Sequence, residues 1–410
     1  MNTLHSVGVA LGLVALVGAA RATFAVPAED HIVLETLAGK LESRDVKMPG
    51  ELRFSAAGTV FLRYEGQRPP APKVSAAVDL SDGQRWCGNV AGGSGDKLRW
   101  QTGVGPELEL SIDHVTRIEF FGRVGELDRA ALEPAAEGDR LYWAHGSTLE
   151  RVDGTFEAFS EQGIALESVL GKRNFPWSEV GALFIAPLEP KPPIKPEAGV
   201  PLIVDLADGS RLRAGFQASS ATGLVLRYPG IESLEIPFNR LIEAGLDDGS
   251  FAYLSAIKPA RAQEGSLFGD DLGLRWPHRV DQSVVGTALS VGGQAFTRGL
   301  GVHAPSRLEW DLAPPANSKT GFAARELIGV VGVDDSVRST AARGSVKFQV
   351  LVDGVSRWDS GVVRGGEPAR AMPRIDLHGA KQLALVVDAA EDSFVADRAD
   401  WLRLILVREP

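Results

Sequence analysis

The chain has 410 residues, 44% apolar and 23% charged, the balance of a folded protein with room for two to four domains. Its formal net charge of −10 repels phosphate backbones, which excludes nucleic acid and anionic membrane surfaces as expected partners. The single cysteine, Cys87, excludes an internal disulfide and a cysteine-built zinc site, and reads as a buried small apolar residue.

In chain order, residues 1–22 read as a signal peptide. The apolar run Val7 to Ala20 is too short for a spanning helix, which needs about 20 apolar residues. It ends in the small-x-small pattern Ala20-Arg21-Ala22. The stretch before it lacks Lys and Arg, so an ordinary buried helix stays open as the alternative. The expectation is export to the periplasm or the exterior, with no membrane insertion after cleavage.

Short runs of period-two alternation follow, such as Glu51-Leu52-Arg53-Phe54, Glu107 to Ile112 and Ser345 to Val352. Alternation puts one face inward and the other in water, so these predict half-buried antiparallel strands and an all-β fold. Asp-Gly pairs at 82–83, 153–154, 208–209, 248–249 and 353–354 predict tight hairpins between them.

Residues 30–75 read as an N-terminal β segment. Three related units follow, at 76–122, 137–187 and 200–255. Gly83, Gly146 and Gly209 recur at intervals of 63 residues. Ser160-Glu161-Gln162-Gly163 in the second unit matches Ser220-Ala221-Thr222-Gly223 in the third, and Phe175-Pro176-Trp177 matches Ile236-Pro237-Phe238. Each unit reads as two hairpins and a closing strand, the pattern of a small bent β-barrel in the Sm-like or SH3-like style. So short a unit buries little core alone, so neighbours are expected to pack together, and a protein partner for them stays open. Residues 188–199 form a proline-rich linker, expected to be extended.

The sequence carries no Gly-x-Ser-x-Gly elbow, no His-Glu-x-x-His and no phosphate-binding loop. Gly88 to Gly95 lacks a strand-to-helix context and reads as a flexible turn.

The last third carries motifs in a definite order: Gln294 to Ala304, Trp310-Asp311-Leu312, Val331 to Asp335, Gly344 to Val350, Val352-Asp353-Gly354, Ile375 to Ala380, Leu383 to Asp388, and Asp397-Arg398-Ala399-Asp400-Trp401. In this order residues 262–410 resemble the NPCBM/NEW2 family of carbohydrate-binding modules, found beside glycoside hydrolases of the family 98 type and some α-galactosidases. The resemblance implies a galactose-binding-like β-sandwich (jelly roll) and a galactose-type glycan as ligand. The family's closing motif usually reads Asp-His-Ala-Asp-Trp, and here the second position is Arg398.

Sugar recognition needs an aromatic face for the ring's C–H surface and fixed polar groups for its hydroxyls. The candidate carbohydrate-binding residues are Trp276, Arg279, Asp281, His303, Asp334, Asp335 and Arg398. Core packing for Trp276, a structural role for His303, and a turn cap or a structural Ca²⁺ site for Asp334 remain open beside that reading. Trp310 and Trp401 read as core, with Asp397 and Asp400 fixing nearby backbone. No other cofactor is expected. The sequence therefore reads as a non-catalytic glycan binder. A sandwich that only packs or binds protein is the alternative, and a glycosidase with two facing carboxyls in the first half is a third.

Overall fold

The computed structural model describes residues 30–37, 40–124, 132–145, 148–186, 198–265, 276–312, 324–340, 342–390 and 396–408. The expected signal peptide and most of the proline-rich linker lie outside them. Among the described residues there are strands and short 3₁₀ turns but no α-helix.

Three strands open the fold: β1 (His31–Thr36), β2 (Leu41–Asp45) and β3 (Thr59–Glu65), with β1 paired to both others. Glu51 to Phe54, expected as a strand, is irregular and reaches the sheet only through a bridge from Phe54 to Thr59. Its alternation served burial of Leu52 and Phe54 rather than strand pairing.

Fifteen strands follow in three sets of five. The first set is β4 (Ala76–Leu80), β5 (Arg85–Ser94), β6 (Lys97–Thr102), β7 (Glu107–Ser111) and β8 (Val115–Phe120). The second is β9 (Asp139–His145), β10 (Thr148–Phe159), β11 (Gly163–Ser168), β12 (Gly171–Pro176) and β13 (Val180–Phe184). The third is β14 (Val200–Leu206), β15 (Arg211–Ser219), β16 (Gly223–Tyr228), β17 (Ile231–Pro237) and β18 (Leu241–Leu246). In each set the first strand pairs with the second and the fifth, as in Ala76↔Gly88 and Ala76↔Phe120. The long second strand carries a bulge at Val90/Gly92, Phe156/Ala158 or Phe216/Ala218. A bulge bends the strand, so its first half joins one neighbour and its second half another. That bend curls five strands into a barrel-like unit.

Two glycine expectations change here. Gly88 to Gly95 lies almost wholly within β5, and a Cβ on Gly88 would sit 2.2 Å from the Gln101 carbonyl oxygen. Asp153-Gly154 is no hairpin turn but lies inside β10, where a Cβ on Gly154 would sit 2.2 Å from the Glu167 carbonyl oxygen. Both glycines permit close approach of a crossing strand rather than a turn.

The units share one core. β8 pairs with β13, and β18 pairs with β3. Buried Trp86 donates its indole N–H to the Tyr228 hydroxyl at 2.9 Å, and the Cys87 amide donates to Ser210 Oγ at 2.9 Å. Cys87 is buried, as expected.

The remaining strands form a β-sandwich. One sheet runs β20 (Arg261–Glu264), β25 (Ser306–Asp311), β31 (Gln382–Ala389), β27 (Ser345–Val352), β28 (Val355–Arg364). The other runs β21 (Arg279–Val280), β24 (Gly299–His303), β32 (Arg398–Arg408), β26 (Ala324–Val333), with β29 (Arg370–Ala371) and β30 (Ile375–Asp376) on its edge. The hairpin of β22 (Leu289–Val291) and β23 (Gln294–Phe296) covers part of its outer face. Between the sheets, Phe348 meets Trp401 edge-on at 5.0 Å, and Trp310 is buried with its indole N–H on the Ile257 carbonyl at 2.7 Å.

The sandwich begins earlier than residue 262. β19 (Phe251–Tyr253) pairs with Val407 to Ile405 of β32. Phe251 and Tyr253 pack on Phe61 of β3 at 5.3 and 6.4 Å between centroids. β32 is accordingly buried on both faces. Trp401, Leu404 and Leu406 point into the sandwich, while Ile405 and Val407 join the N-terminal core.

Arg403 fixes this junction. It sits at φ +45 where two residues of β32 oppose one of β26, between Ile328↔Ile405 and Val330↔Leu402. The bulge sends its side chain away from the sandwich. There it meets Glu35 of β1 at 2.7 Å and Glu243 of β18 at 3.0 Å, with its guanidinium 4.8 Å from the Phe61 centroid. Removing one member of a buried ion network strands the others without partners, at a cost of about 3–5 kcal/mol. Arg403→Leu is expected to lower stability by about that amount, read from urea unfolding. A change below about 0.5 kcal/mol would show that the junction does not depend on this charge.

Candidate functional site

Three of the sequence-predicted residues meet on the outer face of the β21–β24–β32–β26 sheet, at the end remote from β19. His303 is the last residue of β24 and stands opposite Arg398, the first of β32. Directly opposed residues of an antiparallel pair project from the same face. Trp276 lies just before β21, is 39% exposed, and stacks on His303 at 5.5 Å with an 18° interplanar angle. The three side chains make an open ledge.

His303 Nδ1 lies 2.8 Å from the Ala304 carbonyl oxygen. A carbonyl only accepts, so Nδ1 carries the proton and Nε2 is left as an acceptor. Burial lowers the His303 pKa, the Ala304 hydrogen bond opposes that, and the Arg398 charge adds to it. The ring is therefore neutral at neutral pH. Arg398 donates through Nη1 to Ser336, at 3.1 Å to Oγ and 3.4 Å to the carbonyl oxygen. Among the described residues it pairs with no carboxylate. Ser336 carried no sequence signal; a turn alone brings it to Arg398.

The other four candidates do not join the ledge. Asp334 is 1% exposed and caps the 3₁₀ turn Asp335–Ser339, accepting from the Ser336 amide at 3.0 Å and the Ser290 amide at 3.3 Å. Asp335 accepts from Ser290 Oγ at 2.8 Å and the Gly293 amide at 2.7 Å, and pairs with Arg338 at 2.8 Å. Together they clamp the β22–β23 hairpin to the sheet. Asp281 accepts from the Gly299 amide at 3.0 Å, and binds Arg298 at 3.2 Å and Arg211 of the third unit at 2.9 Å. Arg279 Nε donates to the Val284 carbonyl at 3.1 Å and holds the loop between them. The physical reason is common to these cases. Turn and loop backbone leaves amides and carbonyls without strand partners, and nearby charged side chains satisfy them.

Asp397 fixes backbone as expected, accepting the Ser345 amide at 2.9 Å. Asp400 does not. It is fully buried, and neither oxygen has an N–H or hydroxyl donor among the described residues. Burial raises its pKa well above 3.8, helped by the charge and hydrogen bond of Asp334 and the charge of Asp335. Among the described residues no group of three or more His, Cys, Asp or Glu is placed to hold a metal ion.

The larger cavities among the described residues lie elsewhere. One of about 560 Å³ runs between the N-terminal strands and the third unit, beside Tyr64, Pro69, Phe238 and Arg240. One of about 260 Å³ lies at the other end of the sandwich, beside Asp353, Arg357, Arg374 and His378. Neither touches a sequence-predicted residue.

Residues 251–406 match the model of the NPCBM/NEW2 domain family, a span that opens at β19. The chain is 34% identical over 128 residues to alpha-1,3-galactosidase B of Akkermansia muciniphila. That alignment takes in 31% of this chain and only 15% of the relative. Among solved structures, CBM51 from Clostridium perfringens GH95 in complex with methyl-galactose is similar over 38% of this chain and 99% of its own, at 23% identity and a TM-score of 0.32. CBM51-2 in complex with GlcNAc and INT domains from Clostridium perfringens ZmpB is similar over 50% of this chain and 40% of its own, at 21% identity and a TM-score of 0.33.

Asp400 sets a pH dependence whose sign follows from its raised pKa. Above pH 3.8 the unfolded chain releases this proton while the folded chain keeps it, so stability falls as pH rises until the folded pKa is passed. The slope for one such group is about 1.4 kcal/mol per pH unit. Asp400→Asn keeps the shape and removes the titration. Urea midpoints are expected to fall less steeply for this variant than for the parent chain between about pH 4 and pH 7. Parallel slopes would mean that Asp400 is ionised in the fold.

Proposed function

We propose that the protein is an exported carbohydrate-binding protein that holds a galactose-type glycan on its C-terminal sandwich and does not cleave it. The observation that carries the reading is the match of residues 251–406 to the NPCBM/NEW2 family, in a domain whose outer face presents the ledge of Trp276, His303 and Arg398. Trp276 supplies the flat apolar surface that a sugar ring's C–H face packs on, and His303 and Arg398 supply fixed polar atoms beside it. The galactose preference rests on the name of the Akkermansia relative, an alpha-1,3-galactosidase. Binding without hydrolysis is supported by the state of the acids around the ledge. Glycosidases need two reachable carboxyls about 5–10 Å apart. Here Asp281, Asp334 and Asp335 are committed to backbone and arginine partners, and Asp400 is buried with its pKa raised well above the ordinary carboxylate value. Among the described residues no helix is long and apolar enough to cross a membrane.

The test is a glycan array with the full chain, followed by titration of the best ligand against Trp276→Ala. An aromatic contact is worth about 1.5 kcal/mol, so the variant is expected to bind about tenfold more weakly with an unchanged melting temperature. No binding to any glycan by the folded parent chain would sink the reading. Parent-like affinity in the variant would remove the ledge as the site.

A further inference from the structure

We infer that the ligand carries an anionic group, a carboxylate or sulfate on a pyranose ring, held by Arg398. This rests on the reading of the ledge as a glycan site and names the class of sugar it takes.

A neutral sugar's hydroxyls both donate and accept, and a carboxylate is the strong acceptor for them. The ledge offers none among the described residues. The acids around it are already engaged or buried: Glu264 is bound to His278 and Asp397 to the Ser345 amide. Asp334 caps a turn, Asp335 is saturated by Ser290, Gly293 and Arg338, and Asp400 is buried. The remaining polar groups are His303 Nε2, a single neutral acceptor, and the Arg398 guanidinium.

Arg398 has five N–H donors, of which only Nη1 is engaged, and only with Ser336. Its charge meets no counter-charge from the chain among the described residues. A neutral ring over this cation would offer its N–H groups hydroxyl acceptors but no counter-charge. Covering the cation with a carboxylate or sulfate replaces water by two parallel, charge-assisted hydrogen bonds, the geometry for which a planar guanidinium is suited. Burial is the main cause of the lowered His303 pKa, and the Arg398 charge lowers it further.

The experiment is calorimetric titration of the full chain with three methyl galactosides: the neutral sugar, its 6-carboxylate (the galacturonide) and its 6-sulfate. At least one anionic ligand is expected to bind about tenfold or more tightly than the neutral one at low salt. The advantage should shrink when salt is raised to about 0.5 M, because the pair is partly exposed. Arg398→Gln is expected to bring anionic and neutral ligands within about twofold of each other, at an unchanged melting temperature. Preference for carboxylate over sulfate, or the reverse, assigns the group. Equal affinity for all three, or tighter binding of the neutral sugar, overturns this inference and leaves the glycan reading standing. Binding of none of the three, together with a silent array, overturns both.

Discussion

Arg403 is the constraint on which the arrangement of the molecule depends. An arginine in a continuous strand of a sandwich would point into the core or straight out of the sheet. The bulge at φ +45 gives it a third direction, toward Glu35 and Glu243, which come from two different parts of the N-terminal sheet. A buried cation is tolerated only where its hydrogen bonds are satisfied, so this pair of carboxylates admits one docking geometry. Arg63 binds Glu35 from the other side at 3.0 Å and extends the network. Apolar packing of Phe251, Tyr253, Ile405 and Val407 on the N-terminal core supplies area, and the charges supply register.

The function follows from what this docking leaves uncovered. The outer face of the β21–β24–β32–β26 sheet is divided along its length. Ile405 and Val407 lie under the N-terminal units, Leu402 lies under the β22–β23 hairpin, and the stretch at His303 and Arg398 carries the exposed Trp276. Arg211 of the third unit also reaches Asp281 and the Thr297 carbonyl, at 2.9 and 2.6 Å. The loop that leads back from Trp276 is thus braced by another part of the chain. A glycan on the ledge would be held at a fixed orientation to the N-terminal units, not on a loose arm.

What the sequence disclosed follows from how local the signal is. Ser345 to Val352 was readable because alternation is set by neighbours two residues apart, and it is a strand over that whole range. Asp353-Gly354 was readable as a turn for the same reason. Asp153-Gly154 carries the same signature and is strand, because the crossing of β11 needs a position without Cβ, and that requirement comes from residue 167 rather than from the pair itself. The candidate site divides the same way. His303 and Arg398 share a face through strand register and Trp276 stacks on His303 from the loop before β21, while Asp281, Asp334 and Asp335 were claimed by amides and arginines that only the folded chain brings near. Glu35 and Arg403 are 368 positions apart, and nothing local announces their contact.

The buried acid at Asp400 bears on the ledge through charge. Arg398 and Asp400 are two residues apart on β32, so their side chains leave the same face about 7 Å apart along the strand. An ionised Asp400 would offer Arg398 a counter-charge from inside the domain and weaken its field toward solvent. Burial, together with Asp334 and Asp335, instead raises the Asp400 pKa and disfavours that charge. Desolvation is the larger cause, and like-charge crowding by Asp334 and Asp335 adds to it. The crowding exists because Asp334 and Asp335 must stay close to clamp the β22–β23 hairpin. The clamp that completes the sheet's outer cover thus also helps to raise the Asp400 pKa, and leaves the charge of Arg398 directed outward at the edge of the Trp276–His303 stack.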